Sequence, residues 1–180
     1  TSLPILAETS TGPLGQGFSV ATGIALSLQL RKSKGRVYCV LGDGELQEGQ
    51  VWEAFMTGAH YKLSSLCVFI NSNKLQIDGS VEEVMNVNNL SSRLTSFGWN
   101  VIEIDGNRMD EVVKALQSAA SCTQSPTAII GNTLMGKGVP FMENLCKWHG
   151  TTPSREETLS ALQSIGQNDA YQDCSALIPE

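Results

Sequence analysis

Apolar and polar positions fall into blocks along this chain, and the period changes from one block to the next. From Gln16 to about Leu30, the apolar residues Phe18, Val20, Ile24, Ala25 and Leu28 follow a helical stripe, with Gly12 and Pro13 ahead of it and Gly35 behind. The run Val37-Tyr38-Cys39-Val40-Leu41 then predicts a strand buried on both faces. Val51 to about His60 predicts a second helix, and Leu66-Cys67-Val68-Phe69-Ile70 a second buried strand. Beyond a polar loop, Leu90 to Phe97 reads as helical, Val101-Ile102-Glu103-Ile104 as extended, Met109 to Ala120 as helical and Ala128-Ile129-Ile130 as extended. Strands separated by crossover helices predict a parallel sheet with helices on both faces, the α/β class. After Gly150 the pattern changes. Ser154-Arg155-Glu156-Glu157 predicts a helix start running to about Ile165, followed by a polar, irregular tail. The expected division is therefore a domain over residues 1–150 and a C-terminal helix and tail over 151–180.

Composition narrows the function classes. A length of 180 residues suits one domain. No apolar run approaches the roughly 18 residues of a membrane span, so no membrane association is expected. Twelve basic against eighteen acidic residues give a net charge of −6, which argues against a nucleic-acid partner. The basic cluster Arg31, Lys32, Lys34 and Arg36 lies between a helix and a strand and reads as a solvated turn. The five cysteines (Cys39, Cys67, Cys122, Cys146 and Cys174) are odd in number and share no C-x-x-C spacing. Cys39 and Cys67 sit inside strand runs, where a thiol behaves as a small hydrophobe. A reducing, cytoplasmic location is expected. Thr1-Ser2-Leu3-Pro4 shows no secretory signal, and without an initiator Met the start is read as lying upstream.

Ligands in parallel sheets bind beyond the carboxyl ends of the strands. The loop after the first strand is Gly42-Asp43-Gly44-Glu45, where two glycines let amide N–H groups approach an anion and flank a carboxylate suited to a divalent cation. A turn built on a favoured Asp-Gly pair is the alternative. The next loop is Asn71-Ser72-Asn73-Lys74-Leu75-Gln76-Ile77-Asp78-Gly79. Neighbouring parallel strands end on the same side, so this loop should face Asp43, and its amide and carbonyl oxygens are hard donors that would suit Mg²⁺. Turn capping by Asn71 and Asn73 is the alternative. A third glycine-rich loop, Gly131-Asn132-Thr133-Leu134-Met135-Gly136-Lys137-Gly138, belongs to the same edge.

Several blocks together resemble a known family. Ser10-Thr11-Gly12-Pro13-Leu14-Gly15-Gln16-Gly17, Gly42 to Gly49, Asn73 to Gly79, Phe97-Gly98-Trp99, Asp105-Gly106, and Lys137-Gly138 with Trp148-His149-Gly150 closely resemble the thiamine-diphosphate-binding half of transketolases. The similarity covers about residues 9 to 150 and is nearest to the N-terminal subunit of transketolases split over two polypeptides. It implies the diphosphate-binding (PP-type) domain, with Asp43 and Asn73 as side-chain ligands of Mg²⁺ (or another divalent cation such as Ca²⁺) and the Leu75 carbonyl as a third ligand. By the same resemblance the Gly42-Asp43-Gly44 loop contacts the diphosphate through the Gly44 amide, and Gly12 and Leu14 lie against the aminopyrimidine. Ile77 and Met135 pack on the cofactor's apolar faces, with Met135 standing where the family usually has Ile. His149 reaches the diphosphate and the reacting end, where an imidazole could move a proton near neutral pH. Glu48 lies at a subunit contact that communicates with the partner's catalytic carboxylate. A helix-terminal Glu favoured by the macrodipole is its alternative.

In the family, the glutamate facing the pyrimidine comes from a separate pyrimidine-binding domain, and nothing after His149 resembles it. The resemblance therefore implies half a site, completed by a C-terminal transketolase subunit in a dimer of heterodimers. Family members also carry a segment with substrate-touching histidines ahead of the Thr-Gly-Pro-Leu-Gly block, which Leu3 to Glu8 does not match. The expected activity is transfer of a two-carbon ketol group from a ketose to an aldose (phosphates), with turnover only beside the partner. Two alternatives are a related transfer on a specialised substrate and a catalytically silent scaffold or truncated paralogue.

Overall fold

The computed structural model describes residues 8–87 and 89–166. The readings made on Leu3-Pro4, on the tail beyond Gly166 and on Cys174 lie outside the described residues.

The chain opens with α1 (Gln16–Leu30), β1 (Val37–Gly42), a 3-10 turn (Gly44–Gln47), α2 (Gly49–His60) and β2 (Leu66–Ser72). A short hairpin of β3 (Leu75–Gln76) and β4 (Gly79–Ser80), the single turn α3 (Val81–Val84) and α4 (Leu90–Ser96) lead to β5 (Asn100–Asp105). Then come α5 (Met109–Ser121), β6 (Thr127–Asn132), a 3-10 turn (Cys146–His149) and α6 (Arg155–Ser164). The main sheet has the order β1-β2-β6-β5, with every pairing parallel. The expected α/β architecture is what forms.

Alternation along the strands divides the apolar side chains between two faces. On one face Leu41, Val68, Ile70, Ala128 and Ile130 pack beneath α1, α2 and α4. An aromatic knot anchors this layer: the Phe18 and Phe55 ring centroids stand 4.6 Å apart, and Phe55 and Trp99 stand 5.0 Å apart. The Trp99 indole N–H donates to the Phe55 carbonyl at 2.9 Å, which satisfies its polar edge. A Cβ on Gly58 would stand 2.8 Å from the Trp99 ring, so only glycine lets α2 approach that closely. On the other face Cys67 and Ile129, with Phe69, Ile102 and Ile104 at the margin, pack under α5 through Ala115, Ala119 and Leu116.

Two readings are corrected here. β1 is an edge strand with one open face: Tyr38 is 53% and Val40 71% exposed, because α5 reaches the middle of the sheet and nothing among the described residues covers its β1 end. The strand is therefore not buried on both sides. Arg36, read as part of a solvated turn, is half-buried. Its guanidinium donates to the carbonyls of Ala119 (2.8 Å), Ala120 (3.2 Å) and Ser64 (3.1 Å), closing the carboxyl end of α5 against the sheet. Arg31, Lys32 and Lys34 are exposed as expected.

Candidate functional site

The parallel register brings the carboxyl ends of β1, β2 and β6 level, with Gly42 beside Asn71 and Asn71 beside Gly131. Cross-loop bonds then join the loops that follow. The Asp43 N–H donates to the Asn71 carbonyl at 3.2 Å, and the Thr133 N–H donates to the Ser72 carbonyl at 3.1 Å. Thr133 also donates its hydroxyl to Asn71 Oδ1 at 2.6 Å, so Asn71 serves as a tie between loops rather than as a turn cap. The Asn107 side chain accepts from the Leu134 N–H at 2.8 Å and draws the β5 loop into the same rim.

Asp43 is the buried centre of this rim, 5% exposed. Its Oδ1 accepts from the Gly44 N–H at 2.9 Å and its Oδ2 from the Lys74 N–H at 2.6 Å. Lys74 reaches that position with a left-handed φ of 66°. Burial pushes the Asp43 carboxyl above its ordinary range, against the lowering by the two amides and the Lys74 ammonium. Asn73 folds back so that its Oδ1 accepts from the Leu75 N–H at 2.9 Å, leaving that oxygen a second lone pair. The Lys74 N–H thereby ties the loop that carries the expected Asn73 and Leu75 to Asp43, where β1 and β2 end.

These donors fit a hard divalent cation. The carboxylate is buried, its charge is met by backbone dipoles, and the loop bonded to it carries the Asn73 amide oxygen. Among the described residues no group of three or more His, Cys, Asp or Glu is arranged to hold a metal. A cation at Asp43 would therefore take its remaining oxygens from amides, carbonyls, water and a bound phosphate, as Mg²⁺ does.

The residues expected around a cofactor occupy the surrounding surface. Leu14 is 56% and Ile77 72% exposed, which is unusual for such apolar side chains. Gly12 is exposed, and a Cβ there would meet nothing within 4 Å. Met135 is half-buried, its carbonyl accepting from the Asn144 N–H at 3.0 Å. The Gly42 and Gly44 amides are already bonded within the loop, to Glu45 and Asp43 respectively, so a diphosphate would share or exchange the Gly44 bond. His149 is exposed at the end of the 3-10 turn that packs beside β3. That turn is anchored by Trp148, whose indole N–H donates to the Phe141 carbonyl at 3.0 Å. Glu48 is exposed at the N-cap of α2, the helix-terminal place that the macrodipole alternative names, and makes no capping bond with its side chain.

Two further groups escaped the sequence reading. Glu45 accepts from both the Gly15 N–H (2.7 Å) and the Gly42 N–H (3.1 Å). Gln47 donates to Gln76 Oε1 (2.6 Å) and to the Met85 carbonyl (2.9 Å), holding the β3 hairpin to the 3-10 turn. Nothing in local spacing distinguishes such bridges from solvated polar residues.

A parallel sheet whose carboxyl-end loops bring a buried carboxylate and glycine turns to one rim defines an α/β domain of the class that binds ligands beyond its strand ends. Comparison with known proteins narrows that class: the chain belongs to the transketolase thiamine diphosphate binding domain family, whose model matches residues 4–174. It is 38% identical over 160 residues to an apulose-4-phosphate transketolase subunit of Phocaeicola vulgatus, covering 89% of this chain and 57% of that relative. It is 37% identical over 163 residues to the 6-deoxy-6-sulfo-D-fructose transketolase subunit SqwG of a Clostridium species, covering 91% and 59%. The crystal structure of transketolase from Campylobacter jejuni superposes with a TM-score of 0.84 at 33% identity, over 89% of this chain and 26% of that one. The chain thus spans less than two thirds of the relatives it matches.

Proposed function

We propose that this chain is the diphosphate-binding half of a split, thiamine-diphosphate-dependent transketolase. The observation that supports it most is the pairing of Asp43 with the Asn73–Leu75 loop through the Lys74 amide, at the end of adjacent parallel strands. In this reading Asp43, Asn73 and the Leu75 carbonyl hold Mg²⁺, and the Gly44 amide meets the diphosphate. Gly12, Leu14, Ile77 and Met135 receive the rings, and His149 stands at the reacting end as a proton-handling group. The cofactor, when bound, supplies the carbon nucleophile that carries a two-carbon unit from ketose to aldose; the protein supplies position and electrostatics.

The partner is a C-terminal subunit that brings the pyrimidine-facing carboxylate, met across a contact that includes Glu48, in a cytoplasmic dimer of heterodimers. Residues 1–150 form the cofactor-binding unit, and 151–180 an appended helix and tail. Transfer on a specialised substrate is the second reading, supported by two relatives named for apulose-4-phosphate and 6-deoxy-6-sulfo-D-fructose.

Capture from lysate of the source organism tests the reading. The chain is used as bait with and without thiamine diphosphate and Mg²⁺, beside an Asp43→Ala control. One dominant partner carrying a pyrimidine-binding domain, held more tightly with cofactor and not by the Asp43→Ala bait, is the expected result. Capture indifferent to both cofactor and Asp43 would point to a scaffold instead.

A further inference from the structure

We infer that Glu45 is a positioning residue that sets the Leu14 side of the cofactor site against the Asp43 side. The inference rests on the cofactor site proposed above. One carboxylate spans two loops from different parts of the chain: Oε1 accepts from the Gly15 N–H at 2.7 Å and Oε2 from the Gly42 N–H at 3.1 Å. The other end of the Leu14–Gly15 peptide is held as well, because the Leu14 carbonyl accepts from Gln50 Nε2 at 3.2 Å. That peptide is therefore gripped at both its N–H and its C=O. Gly15 adopts a left-handed φ of 79°, a turn natural to glycine, and it aims the N–H at Glu45. Leu14, exposed and apolar, projects from the gripped peptide. On the far side, Gly42 is the residue immediately before Asp43. The carboxylate thereby fixes the spacing between a surface suited to a ring and a surface suited to a cation and a diphosphate.

Charge and shape are both needed. A carboxylate offers acceptors to two donors at once, whereas a Gln amide offers one acceptor and one donor and leaves one N–H facing an NH₂. Glu45→Gln preserves size but breaks one arm of the bridge; Glu45→Ala breaks both.

The test uses the enzyme assembled with its partner and freed of cofactor, at saturating Mg²⁺ and well below the melting temperature of every variant. Dissociation constants are measured by calorimetry for thiamine diphosphate and for inorganic pyrophosphate, which has no ring to be positioned. Hydrogen exchange of the segment containing Gly15 is followed in parallel. The expected result is a loss of thiamine diphosphate affinity of about tenfold in Glu45→Gln and more in Glu45→Ala, on the scale of losing a residue that orients a ligand. The pyrophosphate loss should be smaller, exchange at Gly15 should be faster, and KM for the cofactor should rise by a larger factor than kcat falls. Wild-type cofactor affinity in both Glu45 variants, with Asp43→Ala defective, overturns the inference and leaves the site reading intact. Equal losses for both ligands also overturn it, since Glu45 would then act through Gly42 alone. Undiminished binding of both ligands by Asp43→Ala would overturn the site reading itself, and this inference with it.

Discussion

Replacing Asp43 by Asn keeps the shape of the side chain and removes its charge. In the wild type each carboxylate oxygen accepts one backbone N–H, from Gly44 at 2.9 Å and from Lys74 at 2.6 Å. An amide can accept only one of these, so one N–H is left facing an NH₂ group at a cost of about 1–3 kcal/mol. Removing a carboxylate whose ionisation is opposed by burial offsets part of that cost, so the ligand-free fold should be only modestly destabilised. The ligand-bound state behaves differently. Thiamine diphosphate with Mg²⁺ at a hundred times its dissociation constant stabilises a protein by about 2.7 kcal/mol. Loss of the one carboxylate among the proposed metal ligands should weaken binding by at least about a hundredfold, since even outer-shell partners cost about 10- to 100-fold. At the same ligand concentration the stabilisation then falls to about 0.4 kcal/mol. Denaturant titrations of the assembled enzyme, with and without cofactor and Mg²⁺, read both quantities. An Asp43→Asn protein that keeps the full ligand-induced shift would refute the assignment of Asp43 as a metal ligand.

Other outcomes follow from the same contacts. Arg36→Ala removes the guanidinium bonds to two carbonyls at the end of α5, Ala119 and Ala120, and to the Ser64 carbonyl ahead of β2, and should destabilise the fold by about 2–3 kcal/mol, the range for charge-assisted hydrogen bonds, measurable by chemical denaturation; a loss below about 0.5 kcal/mol would show the contacts to be incidental. Gly12→Ala meets nothing within 4 Å and should leave stability unchanged while weakening thiamine diphosphate binding, because the added methyl enters space assigned to the ring; equal cofactor affinity would remove Gly12 from the site. Burial raises the Cys39 and Cys67 thiols from 9.0 to about 11, whereas at Cys122 desolvation is outweighed by hydrogen bonds from the Ser125 region, which lower it. Alkylation at pH 8 followed by peptide mass mapping should therefore modify Cys122 well before Cys39 or Cys67. The raised thiols favour the folded state fully below pH 9 and lose that contribution as pH climbs through about 11, so unfolding midpoints should fall over that interval, and less so in a Cys67→Ala variant.

Much of the fold was legible because burial and periodicity coincide. Leu66 to Ile70 reads as a doubly buried strand, and β2 is one, flanked by a strand on each side. Val37 to Leu41 has the same apolar signature, yet β1 lies at an edge with Tyr38 and Val40 open. Hydrophobicity records what a strand is suited to bury, not which neighbour is at hand. The β3–β4 hairpin was missed because strands of two residues each have no measurable period.

The candidate site was legible where a residue type constrains chemistry. Asp43 between glycines, and Asn73 one strand away, could be placed on one rim from parallel topology alone. Glu45 and Arg36 could not, since their roles depend on partners 30 and more than 80 positions away in the chain. His149 and Glu48 remain exposed around the rim, and their assignment rests on the family resemblance rather than on contacts within the chain.

Reconstituted turnover tests the central claim most directly. This polypeptide, in its natural length, is mixed with the pyrimidine-domain partner, thiamine diphosphate and Mg²⁺, and two-carbon transfer is followed across a panel of ketose donors and aldose acceptors. The account predicts no transfer by either polypeptide alone and transfer by the pair, abolished by Asp43→Ala. Transfer by this chain without a partner, or none by a stable, cofactor-loaded pair on any substrate of the panel, would contradict it.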